Sequence, residues 1–177
     1  SGFKSDGFSN GISFGFIKDI PLNEQRNVGV GFGLGFAFNS IKNNLQLIEN
    51  KQSIDIQILN EGFISNKITT KAIEFPLEFR WRTSTADKFK FWRVYSGVKF
   101  SYMYKAEYSF VDLSTNYLIK NLEILNKFQY GVTLNAGYSV FNLYTYYGIK
   151  PLYKELNIDQ QKSSMREIKF GLIIYIL

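Results

Sequence analysis

The chain has 177 residues, 21 Lys and Arg against 15 Asp and Glu for a formal net charge of +6, and neither cysteine nor histidine. That length fits one domain, and the missing residue types exclude disulfides, thiolate nucleophiles, Cys-ligated zinc and a Ser-His-Asp triad. Aromatic residues make up 18% of the chain, and the basic balance permits an anionic membrane surface or nucleic acid as partner without requiring either.

The start, Ser1-Gly2-Phe3-Lys4, reads as a mature or trimmed N-terminus. The dominant period along the chain is two, the signature of strands. The first strand is expected over Phe8 to Lys18, with Phe8, Ile12, Phe14 and Phe16 on one side and Ser9, Gly11, Ser13 and Gly15 on the other. The second, Val28 to Phe38, alternates large apolar residues with Gly29, Gly31, Gly33, Gly35 and Ala37. Glycine this dense is incompatible with a helix. The third, Ile73 to Arg82, sets Ile73, Phe75, Leu77, Phe79 and Trp81 against Glu74, Pro76, Glu78, Arg80 and Arg82. Proline in mid-strand predicts a bulge or distorted pairing there.

The fourth strand, Trp92 to Lys105, and the fifth, Lys127 to Tyr138, repeat the alternation. The sixth, Asn142 to Lys150, carries tyrosine on both sides, which leaves its facing open. The seventh, Glu167 to Ile176, closes the set. The longest uncharged stretch, Phe128 to Ile149, is interrupted by Gly131, Asn135, Gly137, Asn142 and Gly148, so it is no membrane helix.

Short connections at 18–26, 83–89 and 139–141 alternate with long ones at 39–71, 105–126 and 151–165. This is the rhythm of an up-and-down meander, and of outer-membrane barrels with short periplasmic turns and long external loops. The alternation Ile54-Asp55-Ile56-Gln57-Ile58 inside the first long connection could extend strands beyond a membrane. Barrels of this kind have even strand numbers, so seven visible strands imply an eighth, expected upstream of Ser1.

Which face meets lipid follows from the glycines. A solvent-facing side has no need of a glycine row, whereas the interior of a narrow barrel does. The large apolar residues would overfill such an interior, but they fit a lipid-facing surface, and runs of about nine to eleven residues suffice to cross when tilted. The fold class is therefore all-β: an antiparallel up-and-down transmembrane barrel of eight strands, seven visible, forming one domain over 1–177. Trp81, Trp92, Tyr138 and Phe141 near the short turns would form the periplasmic aromatic girdle, and Tyr102, Tyr104, Tyr108 and Phe128 the outer one.

The lumen would then hold Glu74, Glu78, Arg80, Arg82, Arg93, Lys99, Lys127, Glu167 and Lys169. Buried charges must pair, and Glu74 and Glu78 against Arg80, Arg93 and Lys99 is the natural set. A structural plug is the expectation; a proton or ion path is the alternative.

The segments Gly11 to Leu22, Gly31 to Phe36 and Ile73-Glu74-Phe75-Pro76-Leu77-Glu78-Phe79-Arg80-Trp81-Arg82 together resemble the PorT-type outer-membrane β-barrel proteins, in order and spacing. That resemblance implies a bacterial outer-membrane location. It also implies association with the type IX secretion system and a further strand ahead of the chain, and it supplies no catalytic residues. The C-terminal Ile174-Tyr175-Ile176-Leu177 departs from the usual aromatic end of a barrel-insertion signal.

The expected role is thus a non-enzymatic accessory or assembly component of a protein secretion complex. Its partners would be outer-membrane lipid and other secretion subunits, with no cofactor, metal, nucleic acid or small-molecule substrate. A soluble lipocalin-like ligand-binding barrel is one alternative. A membrane-barrel enzyme is another, but it would be confined to Asp, Glu, Lys or Tyr chemistry, and Asp6, Asp55, Asp87, Asp112 and Asp159 show no local pairing.

Overall fold

The structure is a computed structural model that describes residues 9–49, 54–59, 64–83, 91–154, 156–158 and 161–175. Phe8 and Ile176, the outermost residues assigned to the first and last strands, lie outside that set, as do Leu177, Asp6, Asp87 and Asp159.

Seven strands form the body: β1 (Asn10–Pro21), β2 (Val28–Lys42), β5 (Ser65–Arg82), β6 (Trp92–Val111), β8 (Phe128–Tyr138), β9 (Phe141–Gly148) and β12 (Ile168–Ile174). They lie side by side in that order, each antiparallel to the next, in one curled sheet. These are the seven strands expected from the alternation. Three smaller pieces complete the described structure. β3 (Leu45–Glu49) and β4 (Ile54–Ile58) form a hairpin, β7 (Asn116–Lys120) pairs with the far end of β6, and β10 (Leu156–Ile158) pairs with β11 (Gln161–Ser163).

The strands run further than their apolar pattern suggests. β5 has 18 residues and β6 has 20, and both continue deep into segments expected to be long connections. Period two persists there, but its sign reverses. Along β5 every even residue faces inward: Glu74, Glu78 and Arg80 in one half, then Ala72, Thr70, Ile68 and Asn66 in the other. A search for apolar-outward alternation stops where the strand turns its apolar residues inward. The Ile54–Ile58 alternation, expected to extend a strand beyond the membrane, instead forms β4, which among the described residues pairs only with β3 in a separate hairpin; the extensions come from β5 and β6.

Pro76 lies opposite Lys99 on the β6 side. On the β2 side, pairing runs to Phe32↔Leu77 and resumes at Gly35↔Glu74, in the same register. The proline has no N–H to give, so the ladder is interrupted without slipping. The register shift expected near it sits instead at Lys71/Ala72, opposite Met103 to Lys105, where Tyr104 and Lys105 are both exposed. β8 and β9 are joined by two residues, the first of which, Ser139, has φ 57°.

β1 and β12 are the two edges and are not paired with each other among the described residues. Six antiparallel steps separate them, so they run in the same direction. A single strand lying antiparallel to both is the closure compatible with an all-antiparallel barrel, and this is where the expected eighth strand would fit.

Candidate functional site: a charge-filled lumen beneath an apolar cap

The outward face of the sheet is a continuous apolar band. Phe16 is 89% exposed and Phe170 78%, and Phe36, Leu77, Phe100, Leu134 and Leu143 are also exposed. No water-soluble surface keeps so much contiguous apolar area uncovered. The soluble lipocalin-like alternative is therefore rejected. At the short-turn end the band finishes in Trp81, Trp92, Tyr138 and Phe141, all exposed, with the rings of Trp92 and Tyr138 5.3 Å apart. At the other end stand Tyr102, Tyr104 and Phe128, where Tyr102 pairs with Phe128.

Tyr108 does not belong to that girdle. It is fully buried and faces inward, because the extra residue at the bulge moves even positions beyond Tyr104 to the inner side.

Inside, charge pairs fill the column. Arg80 donates from Nε and Nη2 to Glu78 Oε2 at 3.1 and 2.9 Å, and from Nη1 to Asp19 Oδ1 at 3.2 Å. Arg82 Nη2 donates to Asp19 Oδ2 at 2.6 Å. The strand parity puts Asp19 of β1 beside two arginines of β5, across β2, because β2 offers only glycine there. A Cβ on Gly31 would lie 2.5 Å from Arg80 Nε. Higher up, Lys99 Nζ lies 2.8 Å from Glu74 Oε1 and stands over the ring of Tyr146. Gly131 makes room for that ring: a Cβ there would lie 2.6 Å from it. Near the open seam, Lys169 pairs with Glu167 at 3.3 Å and donates to Asn39 Oδ1 at 3.4 Å, reaching from β12 to β2.

Two expected members behave otherwise. Arg93 is buried but, among the described residues, pairs with no carboxylate; its guanidinium stacks over Phe91 at 4.6 Å and Tyr175 at 5.5 Å. Lys127 is not in the lumen. It precedes β8 at the mouth and is exposed, and among the described residues only its backbone carbonyl is engaged, by Met103 N–H at 2.7 Å. Its parity matched the inward set, but the strand begins one residue later.

Several lumen residues were not singled out from the sequence. Asp19 fell into an assumed connection, although it shares parity with Gly11, Ser13 and Gly15. Tyr175 shares parity with Glu167 and Lys169, and its ring lies 5.4 Å from the Arg80 guanidinium. Asn135 donates from Nδ2 to Glu78 Oε1 and to the Tyr175 hydroxyl, both at 3.3 Å, tying β8 to β5 and to the end of β12. Parity alone was sufficient to find each of them. The sixth strand's facing also resolves: Asn142, Tyr144 and Tyr146 point inward and Phe141, Leu143 and Tyr147 outward.

Directly above Glu74 and Ser101 the inward column becomes apolar. Ala72 and Met103 begin a buried cluster with Ile68, Tyr108, Phe110 and Ile119. Leu45 and Leu47 of the β3–β4 hairpin are fully buried in it, as are Leu122 and Leu125. Polar ties anchor the hairpin. Asn66 Nδ2 donates to the Leu45 carbonyl at 3.0 Å, and the Tyr117 hydroxyl donates to the Leu47 carbonyl at 2.8 Å. Tyr153, on the loop after β9, packs into the same cluster. Burial pushes its hydroxyl up to about 12. The arrangement is a small water-type core set over a polar plug.

Among the described residues, no group of three His, Cys, Asp or Glu side chains is placed to hold a metal ion. The chemistry the lumen offers is ion pairing between fixed partners.

The family model described as "Outer membrane protein beta-barrel domain" matches residues 1–154. No curated protein and no solved structure matches the chain.

Proposed function

The chain belongs to the outer membrane protein β-barrel domain family and resides in the bacterial outer membrane, and from that premise we propose that it is a non-enzymatic accessory or assembly component of a protein export complex of the type IX kind. The observation that carries this reading is the filled lumen. Glu78 is bonded to Arg80 and Asn135, all three are buried, Arg93 is buried against Phe91 and Tyr175, and Leu45 and Leu47 sit above them. A barrel plugged by its own side chains and capped by its own hairpin is not built to pass solutes. Its remaining assets are its outer surface and its projecting cap, which are the parts that can engage other subunits. The resemblance of the glycine-rich strand β2 and the Glu-Phe-Pro-Leu segment of β5 to PorT-type barrels supplies the type of complex.

Gene deletion with complementation tests this. Export of the secreted adhesins and proteases should stop in the deletion strain, while uptake of a small hydrophilic dye across the outer membrane stays unchanged. Export at the parental level would refute the reading. Increased resistance to small solutes in the deletion strain would favour a pore instead.

A further inference from the structure

Above the outer girdle, the outward face of β2, β5, β6 and β7 carries lysines in cross-strand register. Lys71 stands opposite Lys105, and four residues further from the band Lys42 stands opposite Lys67. Between these two rows Lys120 of β7 lies opposite Glu107. Successive rows, two residues apart, are about 7 Å from each other and strands about 4.8 Å apart, so the two lysine pairs lie about 14 Å apart along the strands with the Lys120 row between them, on one face.

Like charges directly opposite each other destabilise a sheet. Here two such pairs occur on one face. Glu107 is the one carboxylate in these rows and it serves Lys105, at 3.1 Å. The patch therefore has surplus positive charge that the described residues do not compensate. Its position is equally specific. The row immediately below it reads Phe36, Ile73, Tyr102 and Phe128, which is the edge of the apolar band. Lys71 itself lies 5.6 Å from the centre of the Phe38 ring. Charge thus begins within one pleat of the hydrocarbon boundary, on the side of the long connections, which in outer-membrane barrels faces outward.

We propose that this lysine face binds the phosphate groups of an anionic lipid headgroup in the outer leaflet, whose acyl chains lie along the apolar band below. A lipid ligand satisfies both halves of the observation at once: phosphate for the surplus lysines, and chains for Phe36, Ile73 and Tyr102. A soluble anion would satisfy only the first half. This inference depends on the outer-membrane location and not on a role in export.

The test uses the full chain folded in phosphatidylcholine nanodiscs, with bisphosphorylated lipid A as probe and its dephosphorylated form as control. Heat-dependent gel mobility verifies folding of each variant. The triple variant Lys67→Gln, Lys71→Gln and Lys105→Gln should bind the phosphorylated probe about a hundredfold more weakly. Lys18→Gln, which is exposed on β1 toward the opposite end, should bind it unchanged. The dephosphorylated lipid should bind weakly to every variant, and inorganic phosphate at the probe's concentration should not compete. Equal binding of the phosphorylated probe by the triple variant would overturn the proposal, even if the variant lost an acidic protein partner instead. Competition by inorganic phosphate would also overturn it, by identifying a free-anion site.

Discussion

From Arg82 back to Ile73, β5 turns Trp, Phe and Leu outward and Arg and Glu inward; from Ala72 back to Ser65 it turns Lys and Thr outward and Ile and Ala inward. β6 makes the same exchange at Met103, the residue opposite Ala72. One strand pair thus serves two solvents. In the lower half the outside is lipid, so apolar groups belong there and the narrow interior must satisfy its own charges. In the upper half the outside is water, so the ordinary rule returns and the interior becomes a hydrophobic core. The backbone is continuous across the change, with a bulge at Lys71/Ala72 marking it. Period-two patterning therefore gives the strand, and the sign of that pattern gives the solvent.

The two halves should respond in opposite ways to the same kind of substitution, and the largest effect belongs to the lower interior. Glu78→Leu leaves Arg80 buried with only Asp19 to face it. The expected loss is about 3 kcal/mol in urea unfolding from lipid vesicles. Glu107→Gln, which breaks the half-exposed pair with Lys105, should stay within about 1 kcal/mol. Comparable losses for the two would erase the distinction between plug and surface.

In the upper half, Leu47→Ala removes a fully buried side chain from the cap. About 2–5 kcal/mol of local stability should go with it. The cap should become open to limited proteolysis while the gel mobility shift of the barrel is retained. Loss of the shift along with the cap would mean that the two halves unfold as one unit.

The outer face gives a matched pair. Leu77→Arg places a cation in the apolar band and should cost about 2–4 kcal/mol and reduce insertion. Thr69→Arg, on the same face eight residues nearer the end of the strand, should be nearly neutral.

The smallest effect is pH dependence of the cap. Tyr153 has its hydroxyl pushed up to about 12 in the folded protein, against about 10 in an unfolded chain. A raised value means that the neutral form is favoured by folding. This contribution is complete below about pH 10 and is lost as pH climbs toward 12. Proteolytic sensitivity of the cap should rise over that interval, and Tyr153→Phe should flatten the rise.

Much of this was legible in the residues. The seven body strands, the inward glycines and most of the lumen charges follow from alternation alone. Gly31 and Gly131 receive Arg80 and Tyr146, as a narrow interior requires. The failures have local causes. Lys127 matched the inward parity but lies one residue ahead of β8. Tyr108 followed the outward aromatic pattern until the bulge shifted the parity. Arg93 found aromatic faces where a carboxylate was expected, because Glu78 is taken by Arg80 and Glu74 by Lys99. The cap was only hinted at, by the Ile54–Ile58 alternation. Its partners lie far apart in sequence, and nothing local ties Leu45 to Leu125 or Tyr153.

The most direct test of the inversion exploits the absence of cysteine from the chain. Single cysteines introduced in turn at the outward positions Lys67, Thr69, Ile73, Phe75, Leu77 and Phe79 of β5 would be exposed, in folded proteoliposomes, to a membrane-impermeant maleimide. Rapid labelling at positions 67 and 69 with protection from 73 onward would place the lipid boundary between Thr69 and Ile73, where the inversion requires it. Uniform labelling along the strand, or protection extending through position 67, would contradict it.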